Sequence, residues 1–161
     1  MADEVKVKSL EKAMKVLECF TNQAPELGIT QISEMLGLNK SNVHNIISTF
    51  ERLGYIERNA NTGKYFLGLK ILEYTYVINE HLGYISRLYQ IFRSICDKTN
   101  QVVFFAVPKQ ESIIYLTAVY PEQSMNDYPV RLITGEKAPM YCTAIGKAVL
   151  AYMEPEDAEP C

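Results

Sequence analysis

Lys40, Ser41, Asn42, His44, Asn45, Ser48, Thr49 and Arg52 gather ammonium, hydroxyl, amide, imidazole and guanidinium groups into one short segment. Groups of these types pair with nucleic acid: cations and hydroxyl or amide donors meet phosphate oxygens, while amide, imidazole and hydroxyl groups meet base edges in the major groove. Wound as a helix at about 100° per residue, the segment places Ser41, Asn45, Ser48 and Arg52 on one face, flanked by His44 and Thr49. Val43, Ile46, Ile47, Phe50 and Leu53 fall on the other face, which must pack against neighbouring elements. A solvated helix face ordinarily mixes Glu and Lys at i,i+4 spacing; here no carboxylate appears before Glu51. Lys40, at the N-terminal end, suits a phosphate, helped by the positive end of the helix. Ser41, Asn42, His44 and Asn45 suit base edges. Arg58 and Lys64 follow closely enough to hold adjacent backbone or minor groove. The alternative is the same fold used for protein contact alone.

Other chemistries are poorly supplied. Cys19, Cys96, Cys142 and Cys161 lie far apart, and His44 and His81 are the only histidines. No pair has the close spacing of a zinc site, so no metal or other cofactor is expected, and the thiols read as reduced in a cytosol. No Gly-x-Ser-x-Gly and no Gly-rich phosphate loop is present, and Cys142 has no histidine near it in sequence. An enzyme is not the expectation.

The elements that would position the polar face are legible. Ser9 is expected to cap a first helix with Leu10, Met14, Leu17, Cys19 and Phe20 as its stripe, ended by Asn22 and Pro25. A second opens after Gly28 with Thr30 as N-cap and Ile32, Met35 and Leu36 buried. Gly37 stops it, Leu38 follows, and Asn39 caps the third helix, which runs to about Leu53 with Gly54 as its stop. Two helices joined by so short a Gly-containing turn make a helix-turn-helix. Strand-like pieces at 55–58 and 64–67, with the turn Asn59-Ala60-Asn61-Thr62-Gly63 between them, add a wing. Thr30 and Gln31, at the start of the second helix, complete the candidate DNA-contacting set.

The 161 residues are 48% apolar and 22% charged, with net charge −3, which is the composition of a core-forming chain of one ordinary domain or two small ones. No uninterrupted apolar run exceeds the six residues of 102–107, against roughly 18–20 for a membrane span, and the N-terminus has no apolar secretion signal. Charge is unevenly placed: within 38–72, Lys40, Arg52, Arg58, Lys64 and Lys70 face only Glu51 and Glu57, a local net of +3. A change of character at 69–83, where Leu69, Leu72 and Tyr76 recur helically before Asn79-Glu80-His81 and Gly83, reads as a helical linker. The expected domains are 1–68, the linker 69–83, and 84–161. In the last of these, a helix over 84–98 is followed by strands at 102–107 and 113–120 around the turn 108–112. A third strand is expected at 128–133, then a helix from near Thr143.

Several stretches carry a resemblance: Val7-Lys8-Ser9-Leu10-Glu11-Lys12-Ala13, Ile29-Thr30-Gln31-Ile32-Ser33-Glu34, Leu38-Asn39-Lys40-Ser41-Asn42-Val43-His44, Leu53-Gly54-Tyr55-Ile56 and Lys64-Tyr65-Phe66-Leu67-Gly68. Downstream, Gly135-Glu136-Lys137-Ala138-Pro139-Met140 and Thr143-Ala144-Ile145-Gly146-Lys147-Ala148-Val149-Leu150-Ala151 extend it. In this order they resemble the IclR-type bacterial transcription regulators over nearly the whole chain. The resemblance implies an α+β chain with a winged helix-turn-helix, a linker helix and the first part of a GAF-like effector domain. It also implies a repressor or activator acting on a palindromic double-stranded DNA operator as a homodimer or dimer of dimers, modulated by a carboxylate or aromatic acid. Two departures stand out. The family commonly has arginine where Asn45 stands, and an amide pairs bidentately with adenine instead. Position 161 also falls just after the first effector-domain helix, so the expectation is a pocket lacking one wall. The alternative function is an oligomerisation or small-molecule-binding module that pairs with a full-length regulator.

In similar proteins, the loop and helix start corresponding to 142–146 border the effector. Small residues there let an anion approach free backbone N–H groups. Thr143, Ala144, Ile145 and Gly146 are the candidate lining, with Met140 and Tyr141 as walls. The same small residues equally permit close packing against the sheet. The tyrosines at 74, 76, 84 and 89 read either as a dimer surface or as core and linker packing.

Overall fold

The computed structural model describes residues 6–81, 83–122 and 131–158. These fold as two compact units, 1–82 and 83–161. The first contains α1 (Lys8–Glu18), α2 (Ile29–Leu36), α3 (Lys40–Arg52), β1 (Ile56–Arg58), β2 (Tyr65–Leu67) and α4 (Lys70–His81). Its core joins Val16, Cys19 and Phe20 of the first helix region to Leu27, Ile32, Val43, Ile47, Ile56 and Tyr65. Each fully buried aliphatic side chain in that set contributes about 1.5–3 kcal/mol. β1 and β2 pair antiparallel, with Ile56 opposite Leu67 and Arg58 opposite Tyr65. Leu27 adds a bridge to Tyr65 through two reciprocal backbone bonds of 2.9 Å, so the wing is sewn to the segment that precedes α2.

Helix starts differ from expectation. Ser9 lies inside α1, whose N-cap is Val7. Thr30 lies inside the first turn of α2, whose N-cap is Gly28, and the Gly28 N–H donates to Gln31 Oε1 at 3.0 Å. Gln31, at the third helical position, thus reaches back to the N-cap N–H, and Thr30 takes no capping position. Asn39 is the N-cap of α3 by backbone geometry, without a side-chain cap bond. Gly37 stops α2 at φ +63°, and Gly54 follows α3 at φ +81°. The buried stripe of α1 is also displaced: Leu10 and Met14 are exposed at 59% and 48%, while Val16 is fully buried. Leu53 is exposed as well.

In the second unit, α5 (Tyr84–Thr99) precedes β3 (Val103–Lys109), β4 (Ser112–Val119), β5 (Lys137–Pro139), α6 (Ala144–Leu150) and the single turn α7 (Pro155–Ala158). The sheet order is β3-β4-β5, antiparallel throughout. α5 and α6 both pack on β3 and β4, where Phe92 meets Phe105 with ring centroids 5.2 Å apart and Cys96, Ile113, Val119, Ile133 and Met140 are buried. Pro108 lies within β3, opposite Ile113, rather than in a turn. Among the described residues β3 is an edge strand, where the missing N–H costs no ladder bond, and the reversal tightens to Gln110 at φ +54° and Glu111. Of the strand expected at 128–133, residues 128–130 lie outside the described residues and 131–133 are not strand. The third strand is β5 instead, too short at three residues to show alternation. The described residues thus form an α+β chain.

Candidate nucleic-acid interface

Val43 and Ile47, fully buried, fix the rotation of α3, so its opposite face is determined by packing. Ser41, Asn45, Ser48, Thr49 and Arg52 are exposed on that outward side, Asn42 and His44 are exposed at its flanks, and Lys40 is exposed at the N-terminal end of the helix. Thr49 Oγ1 donates to the Asn45 carbonyl oxygen at 2.8 Å, a bond within the helix. The side chains of Lys40, Ser41, Asn42, His44, Asn45 and Ser48 make no hydrogen bond or ion pair with the described residues. Six polar side chains are thus held on a rigid helix and left unengaged, and α3 has no acidic residue in its first turn. Thr30 and Gln31 are exposed at the start of α2, with Gln31 Oε1 already accepting from Gly28.

The wing carries Arg58 and Lys64. Lys64 is exposed. Arg58 is held within the wing: its guanidinium carbon lies 5.7 Å from the centroid of the Tyr65 ring, and Nε donates to the Gly63 carbonyl at 3.4 Å. Sequence reasoning missed what shapes this loop. Glu26, from the segment before α2, accepts from Asn59 Nδ2 at 2.8 Å and from Thr62 Oγ1 at 3.2 Å. Those bonds span 33 and 36 residues, beyond any local pattern. Beside α3, an apolar groove of about 380 Å³ is lined by Leu10, Ala13 and Met14 of α1 and by Asn45, Ile46, Thr49 and Phe50. This accounts for the exposure of Leu10 and Met14: they flank α3 rather than fill the core.

α4 joins the same unit through aromatic contacts. Tyr55 stacks on Tyr74, centroids 6.0 Å apart, with their hydroxyls hydrogen-bonded, and meets Phe50 of α3 edge-on at 5.8 Å. The hydrogen bond between its hydroxyl and that of Tyr74, with partial desolvation, pushes the Tyr55 pKa up. Leu72, Tyr76, Val77 and Ile78 of α4 are exposed.

In the second unit, Thr143 caps α6, its Oγ1 accepting from the Gly146 N–H at 2.9 Å. One first-turn donor of α6 is therefore already satisfied. Met140 is fully buried and Gly146 is buried against its backbone, whereas Tyr141, Cys142 and Ala144 are exposed and Ile145 is half-buried. Burial pushes the Cys96 thiol up in pKa, partly opposed by Arg93. Among the described residues, no group of His, Cys, Asp or Glu is arranged to hold a metal ion, and no helix is long and apolar enough to cross a membrane.

Comparison with known proteins agrees with this architecture. The chain is 29% identical over 147 residues to the HTH-type transcriptional regulator XynR of Escherichia coli K12, covering 91% of this chain and 57% of that protein. It is 26% identical over 156 residues to KipR of Bacillus subtilis 168, covering 96% and 60%. The chain thus spans less than two thirds of these relatives. A crystal structure of an IclR family transcriptional regulator from Brucella abortus superposes with TM-score 0.84 at 27% identity, covering 99% of this chain and 60% of that one. An IclR homologue from Microbacterium hydrocarbonoxydans, solved with 4-hydroxybenzoate, shares the fold at TM-score 0.75 and 19% identity, over 94% and 62% of the two chains. The IclR helix-turn-helix domain model matches residues 9–60 and the C-terminal model of bacterial transcriptional regulator IclR matches 78–161, and the chain belongs to the IclR family.

Proposed function

We propose that this chain is a sequence-specific DNA-binding transcription regulator whose second unit responds to a small carboxylate or aromatic acid. The observation that carries the first half is the exposed polar surface of α3, where Lys40 at its N-terminal end and Ser41, Asn42, His44, Asn45 and Ser48 stand unengaged by the other described residues. Lys40, Arg58 and Lys64 hold phosphates; Ser41, Asn42, His44, Asn45 and Ser48 read base edges; Thr30 and Gln31 brace the backbone beside them. The second half is supported by the match to the IclR C-terminal model, with Met140, Tyr141, Thr143, Ala144, Ile145 and Gly146 at the effector. The exposed apolar side chains of α4 favour pairing of two copies on a palindromic site.

Selection of duplexes from a random pool, followed by a salt titration of the winner, tests the reading. A palindromic site whose affinity falls steeply with salt supports it, because phosphate contacts release counterions; no enrichment of any sequence overturns it. 4-Hydroxybenzoate is the first effector probe, and a shift in operator affinity on adding it supports the sensing half.

A further inference from the structure

We infer that Glu26 is the positioning residue of the wing, its carboxylate holding the loop 59–64 in the shape that presents Arg58 and Lys64; this rests on the DNA-binding reading. A carboxylate only accepts hydrogen bonds. Glu26 Oε1 therefore faces the NH2 group of Asn59, at 2.8 Å, and leaves Asn59 Oδ1 to accept from the backbone N–H of Asn61 at 2.9 Å and of Thr62 at 3.4 Å. The other oxygen takes the Thr62 hydroxyl proton at 3.2 Å, which leaves the lone pairs of that hydroxyl for the Lys64 N–H at 3.3 Å. One charge thus fixes both an amide orientation and a hydroxyl rotor, and through them three backbone N–H groups of the turn. Glu26 is itself held in place, since its neighbour Leu27 exchanges two backbone bonds with Tyr65. Arg58, donating to Gly63 within the same loop, and Lys64, whose own N–H bonds into it, take their positions from this arrangement.

The sign of the charge makes the inference testable. A carboxylate beside a phosphate-binding wing repels DNA, so removing it tightens binding if Glu26 is only a surface charge. If it positions the wing, removing it loosens binding. The experiment uses the full chain and a random-sequence 30-base-pair duplex, with affinity measured across a salt series. For Glu26→Gln we expect affinity to fall roughly three- to tenfold, the net worth of one ordinary hydrogen bond, and the salt slope to drop by about 0.9 for each phosphate that the wing no longer neutralises. Asn59→Ala should reproduce the loss, and the double variant should add little to either, since both break one network. Thr62→Val removes only the second leg and serves if Glu26→Gln fails to fold. Wild-type chain that ignores the duplex sinks the DNA-binding reading itself. Wild-type binding with Glu26→Gln and Thr62→Val as tight or tighter overturns the assignment of Glu26 alone.

Discussion

Gly146 lies so close to Met140 that a Cβ built on it would stand 2.1 Å from the Met140 carbonyl oxygen and 2.4 Å from its Cα. The start of α6 is thereby pressed onto the end of β5, and the glycine in a run of small residues has a packing role of its own. Ala144 and Ala148, in the same run, are exposed. Gly146→Ala would gain about 1 kcal/mol in helix propensity but must displace backbone, and overpacking of that kind costs roughly 1–3 kcal/mol or more. A net loss of stability in the second unit is expected, read as weakened hydrogen-exchange protection of the β3 and β4 amides. Protection that holds or rises would mean the contact is looser than the geometry shows.

A second glycine contact locks the wing to α3. A Cβ on Gly68 would lie 2.3 Å from the Gly54 carbonyl oxygen, and the Gly68 N–H donates to the Tyr55 carbonyl at 2.8 Å. Gly37, by contrast, has open space around it and asks only for positive φ. Gly37→Ala should therefore cost about 1 kcal/mol, the left-handed penalty, and Gly68→Ala more than that. Urea midpoints of the two variants, followed by circular dichroism, check the order; a reversed order would contradict the steric account.

Most of the first unit could be read from local signals, because its helices are punctuated by glycines whose φ is forced. Gly37 and Gly54 end helices, and Asn59 with Gly63 turns the hairpin. What periodicity could not tell was which side of α1 faces inward: Leu10 and Met14 satisfy a helical stripe as well as Val16 does, and only the placement of α3 decides between them. The Glu26 tether was invisible for a related reason, being a pairing of polar residues more than thirty positions apart. In the second unit β5 escaped because a three-residue strand has no period, and its existence depends on β4 beside it. The outward chemistry of α3 was legible because residue type alone carries it once Val43 and Ile47 are known to be inside.

Cys19 and Cys96 are buried, and burial raises both thiol pKa values. The native state then keeps a proton that the unfolded chain releases near the ordinary thiol pKa of about 8.5. Above that pH the unfolded state binds fewer protons, so stability, complete below it, is lost as pH rises through the folded values. The raised Tyr55 acts in the same direction. Stability should fall as pH rises above about 8.5, by no more than roughly 1.4 kcal/mol per pH unit for each thiol, and Cys96→Ala should flatten part of that fall. In a Cys161→Ser background, Cys142, which is exposed, should be the one thiol that reacts rapidly with Ellman's reagent at neutral pH. Rapid reaction of two or more thiols without denaturant would contradict the burial of Cys19 and Cys96.

Lys40, at the N-terminal end of α3, and Asn45, on its outward face, are both exposed but offer different chemistry, and DNA separates them. An ammonium meets any phosphate, whatever the bases, so Lys40→Ala should weaken selected and random duplexes alike and reduce the salt slope by about one. A carboxamide offers a donor and an acceptor side by side, the pattern that pairs with adenine N6 and N7. Asn45→Ala should cost about 1–3 kcal/mol on the selected site, leave random-sequence affinity nearly unchanged, and relax preference at a single base pair. Because Asn45 also borders the groove lined by Leu10 and Met14, a packing role has its own signature: a lowered thermal midpoint and equal losses on every duplex. Equal losses for Asn45→Ala would remove base reading from this residue, and the same result for both variants would reduce the face of α3 to a phosphate-binding surface.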